Sequence, residues 1–489
     1  MNPGRPRRSG RVIGVRGLAA LLVVVALTTA ACSPFAPRPR SAPAGELPAR
    51  FSLYDPAAEV PQRWWQTLAD PQLEALIEQA LTRGFTLLEA WARLSQVRAR
   101  TLQTAAALYP EVSGDAEAAF SRRHTEGIGT RGAEFYALGL VSAYELDLWG
   151  RVRSESQAAR LDEYASREDL NAAAMTVAAE VAQRWAQIIS QRLQKRLLER
   201  QLETNETFLE LIELRFRRAI TSALDVYQQK QVVEGVRAQI PLVAAEEALQ
   251  RHELAILVGQ PPLSALAIDR DDLPLPAGVP PTGLPADLLA ARPDVRAAGL
   301  RLTAADWQVA AARANRLPAV RLTGAASYQA ESFDLLFDNW LANLGGNLSA
   351  PLFDAGRRKA QVDEARAAAA ESLSIYRRTV LTAIKEVEDA LVLEAGRREN
   401  LDALADQIDA ARRALEQAGN RYLKGLSDYL PVLTQLLAVQ GLERTVIQRQ
   451  TELLLDRISL YRALGGHWGE GLAPPSQNAP QSESPWKNG

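Results

Sequence analysis

The sequence runs to 489 residues with a formal net charge of −2, 47% hydrophobic residues and a single cysteine. One thiol excludes an intramolecular disulfide. The mixed, balanced charge gives no sign of a nucleic-acid partner.

The N-terminus carries Arg5, Arg7, Arg8, Arg11 and Arg16 ahead of an apolar run from Leu18 to Leu27 that ends in small residues. This is the layout of a bacterial secretory signal over residues 1–31, too short to span a bilayer as a helix. The Arg7-Arg8 pair lacks the hydrophobic residues that follow a twin-arginine motif. Ala30-Ala31-Cys32 resembles a lipobox, with Thr29 where leucine is usual; a leftover cysteine is the plain alternative. The lipobox reading has the signal cut before Cys32, and the new N-terminal cysteine acylated on sulfur and nitrogen. Ser33 resembles the residue after the cysteine in lipoproteins forwarded to the outer membrane. Residues 32–60 then read as a lipid anchor and proline-rich, extended tether, and residues 471–489 as a disordered tail. After Leu27 no run approaches the length of a transmembrane helix.

The body of the chain is written twice. The phrases "YELDLWGRVR" (144–153) and "APLFDAGRRK" (350–359) place Gly150 and Gly356 206 positions apart. The same offset links Arg215-Phe216 to Arg421-Tyr422, Asp225-Val226 to Pro431-Val432, and Gly259 to Gly465. One offset at independent landmarks indicates duplication. The repeats cover 61–260 and 286–470, joined by a proline-rich linker at 261–285.

Each repeat predicts a helical segment ending at Pro110 or Pro318, then two strands around a polar loop: 111–121 and 134–147, and 320–331 and 340–350. Even positions are largely apolar or small, as in Leu138, Leu140, Leu322 and Leu344. Odd positions are more polar, as in Asp115, Glu117, Ser327 and Asn343, although Phe135 and Val141 break the rule. Strands of about ten residues with alternating faces fit an outer-membrane barrel, with Phe120, Tyr136, Tyr328 and Trp340 as an aromatic girdle. A half-buried soluble sheet alternates in the same way. Four strands cannot close a barrel, and open edges in lipid leave backbone groups unpaired. A membrane location therefore requires several chains, and three would give twelve strands.

Helical hairpins follow at 154–258 and 357–464, each opening with a helix of ~100 Å at 1.5 Å per residue. Val380, Ile384, Val387 and Leu391, then Leu401, Leu404 and Ile408, keep the three-four spacing of coiled-coil packing. A plain coiled-coil spacer would share this spacing but not the strand pairs. The hairpins turn at "RRAITSALD" (217–225) and "LKGLSDYLP" (423–431).

On "RWWQTLADPQLEALIEQAL" (63–81), "ARPDVRAA" (291–298), "LPAVRLTGAASY" (317–328), "LSAPLFDAGRRKAQV" (348–362) and "RYLKGLSDYLPVL" (421–433), the chain resembles the TolC/OprM family of outer-membrane efflux proteins, in its NodT-like lipoprotein branch. The resemblance covers roughly residues 60 to 470. It implies a mixed α and β membrane protein: a homotrimer whose 12-stranded outer-membrane β-barrel continues into a long periplasmic 12-helix α-barrel. The implied function is the exit channel of a tripartite efflux system, passing drugs and toxic compounds to the exterior of a Gram-negative cell. The implied partners are outer-membrane lipid, a periplasmic adaptor and an inner-membrane pump of the RND type. By the same resemblance the channel closes at the helical tips, where Asp225 and Tyr422 match gate-holding positions. Ser427 and Thr434 depart from the family's arginine and aspartate, and Asp428 lies nearby as a substitute.

No catalytic constellation occurs. His124, His252 and His467 lie far apart without ligand spacing, and no phosphate-binding loop, nucleophile elbow or Cys-x-x-Cys pair is present. No cofactor is expected beyond the covalent lipid on Cys32. Three other readings are a type I protein secretion component, a lipid-anchored adaptor and an anchored hydrolase. An adaptor has one hairpin beside a lipoyl-like β domain, and a hydrolase needs a nucleophile or base that is missing here.

Overall fold

The computed structural model describes residues 34–40, 46–53, 62–276, 278 and 282–474. The predicted signal, Cys32 and the tail beyond residue 474 lie outside the described residues. In chain order, helices α1 (Pro71–Arg83) and α2 (Phe85–Ala106) precede strands β1 (Glu111–Thr125) and β2 (Gly129–Leu146), then helices α3 (Arg151–Arg217) and α4 (Ala223–Leu257). The set recurs as α5 (Leu288–Ala291), α6 (Pro293–Ala314), β3 (Ala319–Ala330), β4 (Trp340–Ser349), α7 (Arg357–Leu423) and α8 (Leu430–Leu464). The two long helices have 67 residues each and the two return helices 35 each, so the duplication holds element by element. Among the described residues no helix is long and apolar enough to cross a membrane.

The repeated phrases encode helix ends. Asp147 accepts hydrogen bonds from the Val152 and Arg153 amides at 3.2 and 2.9 Å, and Asp354 accepts one from the Arg358 amide at 3.2 Å. Each aspartate satisfies amide groups that the first turn leaves unpaired. Gly150 (φ 77) and Gly356 (φ 85) make the left-handed turn between cap and helix. At the far ends, Ile220 donates to the Arg215 carbonyl and Leu426 to the Arg421 carbonyl, both at 2.9 Å. These are matching helix C-caps. The left-handed position is Ala219 (φ 56) in the first and Gly425 (φ 71) in the second.

The chain forms two compact units. The first comprises Gln96–Tyr164, Gly299–Ile375 and the N-terminal segment through Pro43. It centres on one antiparallel sheet in the order β1-β2-β3-β4. Leu138 pairs with Ala116 and Tyr328, Leu140 with Gly114 and Ala326, and Tyr328 with Trp340. Even positions thus face even positions across all four strands, and one face of the sheet collects the apolar set read from the sequence. The other face carries Glu111, Asp115, Glu117, Arg321 and Asn343. At the turn end of the apolar face, Tyr136 meets Phe333 and Tyr328 meets Phe337 edge-on, with centroids 5.6 and 5.4 Å apart.

One expectation for this unit needs correction. The first hairpin does not stop at residue 121 and resume at 134. Its strands continue to Thr125 and restart at Gly129 around a three-residue turn. Side-chain alternation ends at Arg122, but ladder bonds join backbone groups and need no apolar side chains. The tether, expected to be proline-rich and extended, is held to this unit at one described residue. The Arg40 guanidinium grips Asp306 of α6 through bonds of 2.9 and 2.7 Å.

The second unit comprises Ala44–Ser95, Ala165–Ala298 and Tyr376–Gly489. Its core gathers Trp64, Trp65, Ile77, Trp185, Ile188 and Leu254. Trp64 stacks on Tyr461 at 5.4 Å, and Trp65 meets Trp468 edge-on at 4.9 Å. Val380, Ile384, Val387 and Leu391 are buried, as their spacing requires. The linker between the repeats is clasped by arginines. Arg192 donates to the Ile268 carbonyl, Arg196 to that of Asp271, and Arg398 to those of Pro276 and Gly278, at 2.8 to 2.9 Å. Arg457 also reaches Gly278 while pairing with buried Glu394.

Candidate functional site

The site expected from the sequence is the pair of hairpin tips, both in the second unit. Helix α4 begins at Ser222, whose hydroxyl accepts from the Asp225 amide at 3.3 Å. The Asp225 Oδ2 atom accepts in return from the Ser222 amide (3.0 Å), the Ser222 hydroxyl (2.8 Å) and the Thr221 hydroxyl (2.6 Å). This is a capping box with an aspartate in the third position. Burial pushes the Asp225 carboxyl up, but the bonds from Thr221 and Ser222 outweigh it and hold the group below its ordinary range.

Helix α8 begins beside Tyr429, which is 1% exposed. Its hydroxyl donates to Gln229 Oε1 at 2.8 Å, Gln229 Nε2 donates to the Asn205 carbonyl at 2.8 Å, and Asn205 Nδ2 donates to Gln440 Oε1 at 3.2 Å. A polar chain thus crosses three helices inside the hairpin packing. Burial, then Tyr422, then the Asp225 carboxylate push the Tyr429 phenol well above its ordinary value. The Tyr422 ring lies 5.5 Å from that of Tyr429, and the Arg215 guanidinium sits 4.4 Å above the Tyr422 ring. Ile212, Val432 and Leu433 form the apolar floor.

The structure therefore brings Asp225 and Tyr422 into one neighbourhood around Tyr429 but does not bond them to each other within the chain. Asp225 is engaged by its own cap, and the Tyr422 hydroxyl is buried without a partner. Asp428 is exposed in the turn, and the exposed Thr434 hydroxyl donates to the Leu430 carbonyl at 2.9 Å. Ser427 Oγ and Arg215 Nε are buried without partners as well. Sequence reasoning missed Arg215, Gln229 and Tyr429 as site residues. The available signals were the seven-residue step from Tyr422 to Tyr429, and polar residues at positions a helical seam normally fills with leucine.

Farther from the tip, α3 and α8 meet along more polar contacts. Thr451 bonds Ser190 at 2.7 Å, Gln194 donates to the Arg444 carbonyl at 2.9 Å, and Arg444 donates to Gln201 at 2.8 Å. A groove lined by Gln187, Gln191, Gln239 and Gln448 opens beside them. Nothing here is arranged for bond-making chemistry. Among the described residues no acidic, histidine or cysteine group could hold a metal ion. His124 bonds Thr130 at 2.9 Å, and His467 bonds Glu470 at 3.0 Å.

Residues 76–260 and 284–466 match the family model for outer membrane efflux proteins, one match to each repeat. The pyoverdine export outer membrane protein OpmQ of Pseudomonas aeruginosa is 31% identical over 425 residues, covering 84% of this chain and 89% of that one. The solvent efflux pump outer membrane protein SrpC of Pseudomonas putida is 30% identical over 412 residues, covering 82% of this chain and 86% of that one. Among solved structures, the outer-membrane channel OprN superposes with a TM-score of 0.83 at 30% identity, over 90% of this chain and all of that one. A duplicated strand-pair and helical-hairpin frame, matched in both halves, shows that the chain belongs to the outer membrane efflux protein family.

Proposed function

We propose that this outer membrane efflux protein is the exit duct of a tripartite pump and works as a homotrimer, its four strands per chain completing a twelve-stranded barrel. The observation that carries this is the strand register. It gives one apolar face with an aromatic girdle and one polar face, on a sheet with two open edges. Three such sheets joined edge to edge leave no unpaired backbone in lipid. The hairpins would line the periplasmic duct as a twelve-helix barrel, and acyl chains on Cys32 would add a second membrane anchor. Family membership removes the adaptor and hydrolase readings, and the chain is not an enzyme. The energy for export then comes from an inner-membrane pump, for which we favour the RND type, coupled through a periplasmic adaptor. The pyoverdine and solvent exporters among its relatives point to small organic molecules as cargo.

The tips are the gate in this reading. Arg215 at the first tip stacks on Tyr422 at the second, its guanidinium 4.4 Å from the ring, so the two tips pack against each other. A change in how the tips pack would break that contact, so the tips are where a partner can act on the pore. An adaptor that binds the rearranged tip more tightly shifts the equilibrium by its differential affinity. The test is single-channel recording of purified protein in planar bilayers. Replacing Asp225 with Ala and Tyr422 with Phe should raise conductance and admit bulky antibiotics. A double variant that conducts like the wild type removes the gate from these residues, and a wild type that forms no pore removes the channel reading.

A further inference from the structure

The turn end of the β1–β2 hairpin holds an arginine that the channel function does not use. Arg122 occupies an even position, on the apolar face of the sheet, and its register partner on β2 is Gly132. The Phe120 ring packs beside Gly132, where a Cβ would make only an ordinary van der Waals contact with Phe120 Cζ, at 3.8 Å. The Arg122 guanidinium sits over the same ring, 5.5 Å from its centroid. Ring and guanidinium therefore stack, placing a cation on the apolar face near the aromatic girdle. Among the described residues Arg122 has no ion pair. Glu134, on the same face, accepts from the Tyr136 hydroxyl at 3.3 Å. An arginine held against an aromatic ring keeps its planar fork free for a tetrahedral oxyanion. At the rim of an acyl-facing band, the oxyanion within reach is a lipid phosphate.

We propose that Arg122, positioned by Phe120, binds the phosphate headgroup of a phosphorylated glycolipid in the outer leaflet. The site rests on the reading of the even face as lipid-facing. It gives the hairpin tip a polar lock to the membrane in addition to its apolar contact. The neighbouring pair Arg123 and Arg131, directly opposite each other in register, lies on the odd face and takes no part.

The test titrates purified full-length protein in detergent with bisphosphorylated lipid A and with the same lipid stripped of phosphate, counting bound lipid by native mass spectrometry. Wild type should prefer the phosphorylated lipid at least tenfold. Arg122→Gln should reduce that preference below threefold, Arg122→Lys should keep part of it, Phe120→Leu should weaken it, and Arg123→Gln should leave it intact. A preference that survives Arg122→Gln, or is absent in wild type, overturns the proposal while the barrel reading stands on its own bilayer test. Competition by millimolar inorganic phosphate as strong as that by the lipid would make this a free-phosphate site and also overturn it. Loss of preference in Arg123→Gln but not in Arg122→Gln overturns the face assignment itself.

Discussion

Leu140→Arg tests the face assignment most directly. Leu140 is an even residue of β2, 60% exposed in the single chain, flanked in register by Gly114 and Ala326. Ten residue steps separate Tyr136 in the girdle from Leu146 at the other end of the strand. At ~3.4 Å per step and a tilt of ~40°, those steps make an apolar band ~25 Å tall. Leu140 then lies ~10 Å below the girdle, near the middle of the band. Its two neighbours in register have small side chains and no acceptor for a guanidinium. An arginine there should cost ~2–4 kcal/mol per chain, roughly 30- to 900-fold in the folding equilibrium. The assay is urea unfolding of vesicle-inserted protein, with the heat resistance of trimers on gels as a second readout. The comparison is Ser327→Arg, an odd residue one row from Leu140, whose arginine would extend over the polar face beside Asp115 and Gly139. This variant should unfold almost as wild type and instead change conductance. Equal losses at both positions, or a larger loss at Ser327, would refute the argument.

Four further outcomes are expected. Ala219→Gly should stabilise the first tip by ~1 kcal/mol, because an L side chain is strained at φ 56 and the second repeat already has Gly425 there; thermal unfolding measures it. The stabilising Asp225 bonds are fully present above an ordinary carboxylate pKa, are lost as pH falls through the depressed value, and give no such dependence in Asp225→Asn, as hydrogen exchange at the tip between pH 3 and 7 would show. Arg457→Met should cost less than the ~3–5 kcal/mol of a wholly orphaned buried charge, because Arg398 still pairs with Glu394 at 3.0 Å, and the double change with Glu394→Leu should recover part of the loss in denaturant titrations. Cys32→Ser should abolish metabolic labelling with palmitate; labelling that persists would sink the lipid anchor.

The features legible from the sequence were those set by neighbouring residues. Alternation gave the strand faces, because side-chain direction follows backbone parity whatever the strand later pairs with. The paired glycines marked where the long helices start, but the aspartate caps beside them were not read from the sequence. The ends of β1 and β2 were not legible, because the pairing of Arg123 with Arg131 and of Thr125 with Gly129 leaves no pattern in side-chain polarity. Long-range grips were invisible as well. Arg40 finds Asp306 at a separation of 266 residues, and Arg398 finds the Pro276 carbonyl at 122. At the tip, Thr221, Ser222 and Asp225 spelled a capping box in plain view, yet Asp225 was assigned through resemblance alone. The polar chain from Tyr429 to Gln440 could be assembled only once three helices were placed together.

The constant parity of the sheet also constrains how its edges can be extended. Any strand added beside β1 or β4 must set its own apolar residues against even positions, so admissible alignments are two residues apart and every intermediate one is excluded. A strand like β1, added one residue out of step, would turn Glu111, Asp115 and Glu117 onto the apolar face together, three carboxylates at once. In the barrel reading, assembly along these edges would proofread itself, because a misaligned chain would meet the membrane with its carboxylates before any later step had to recognise the error.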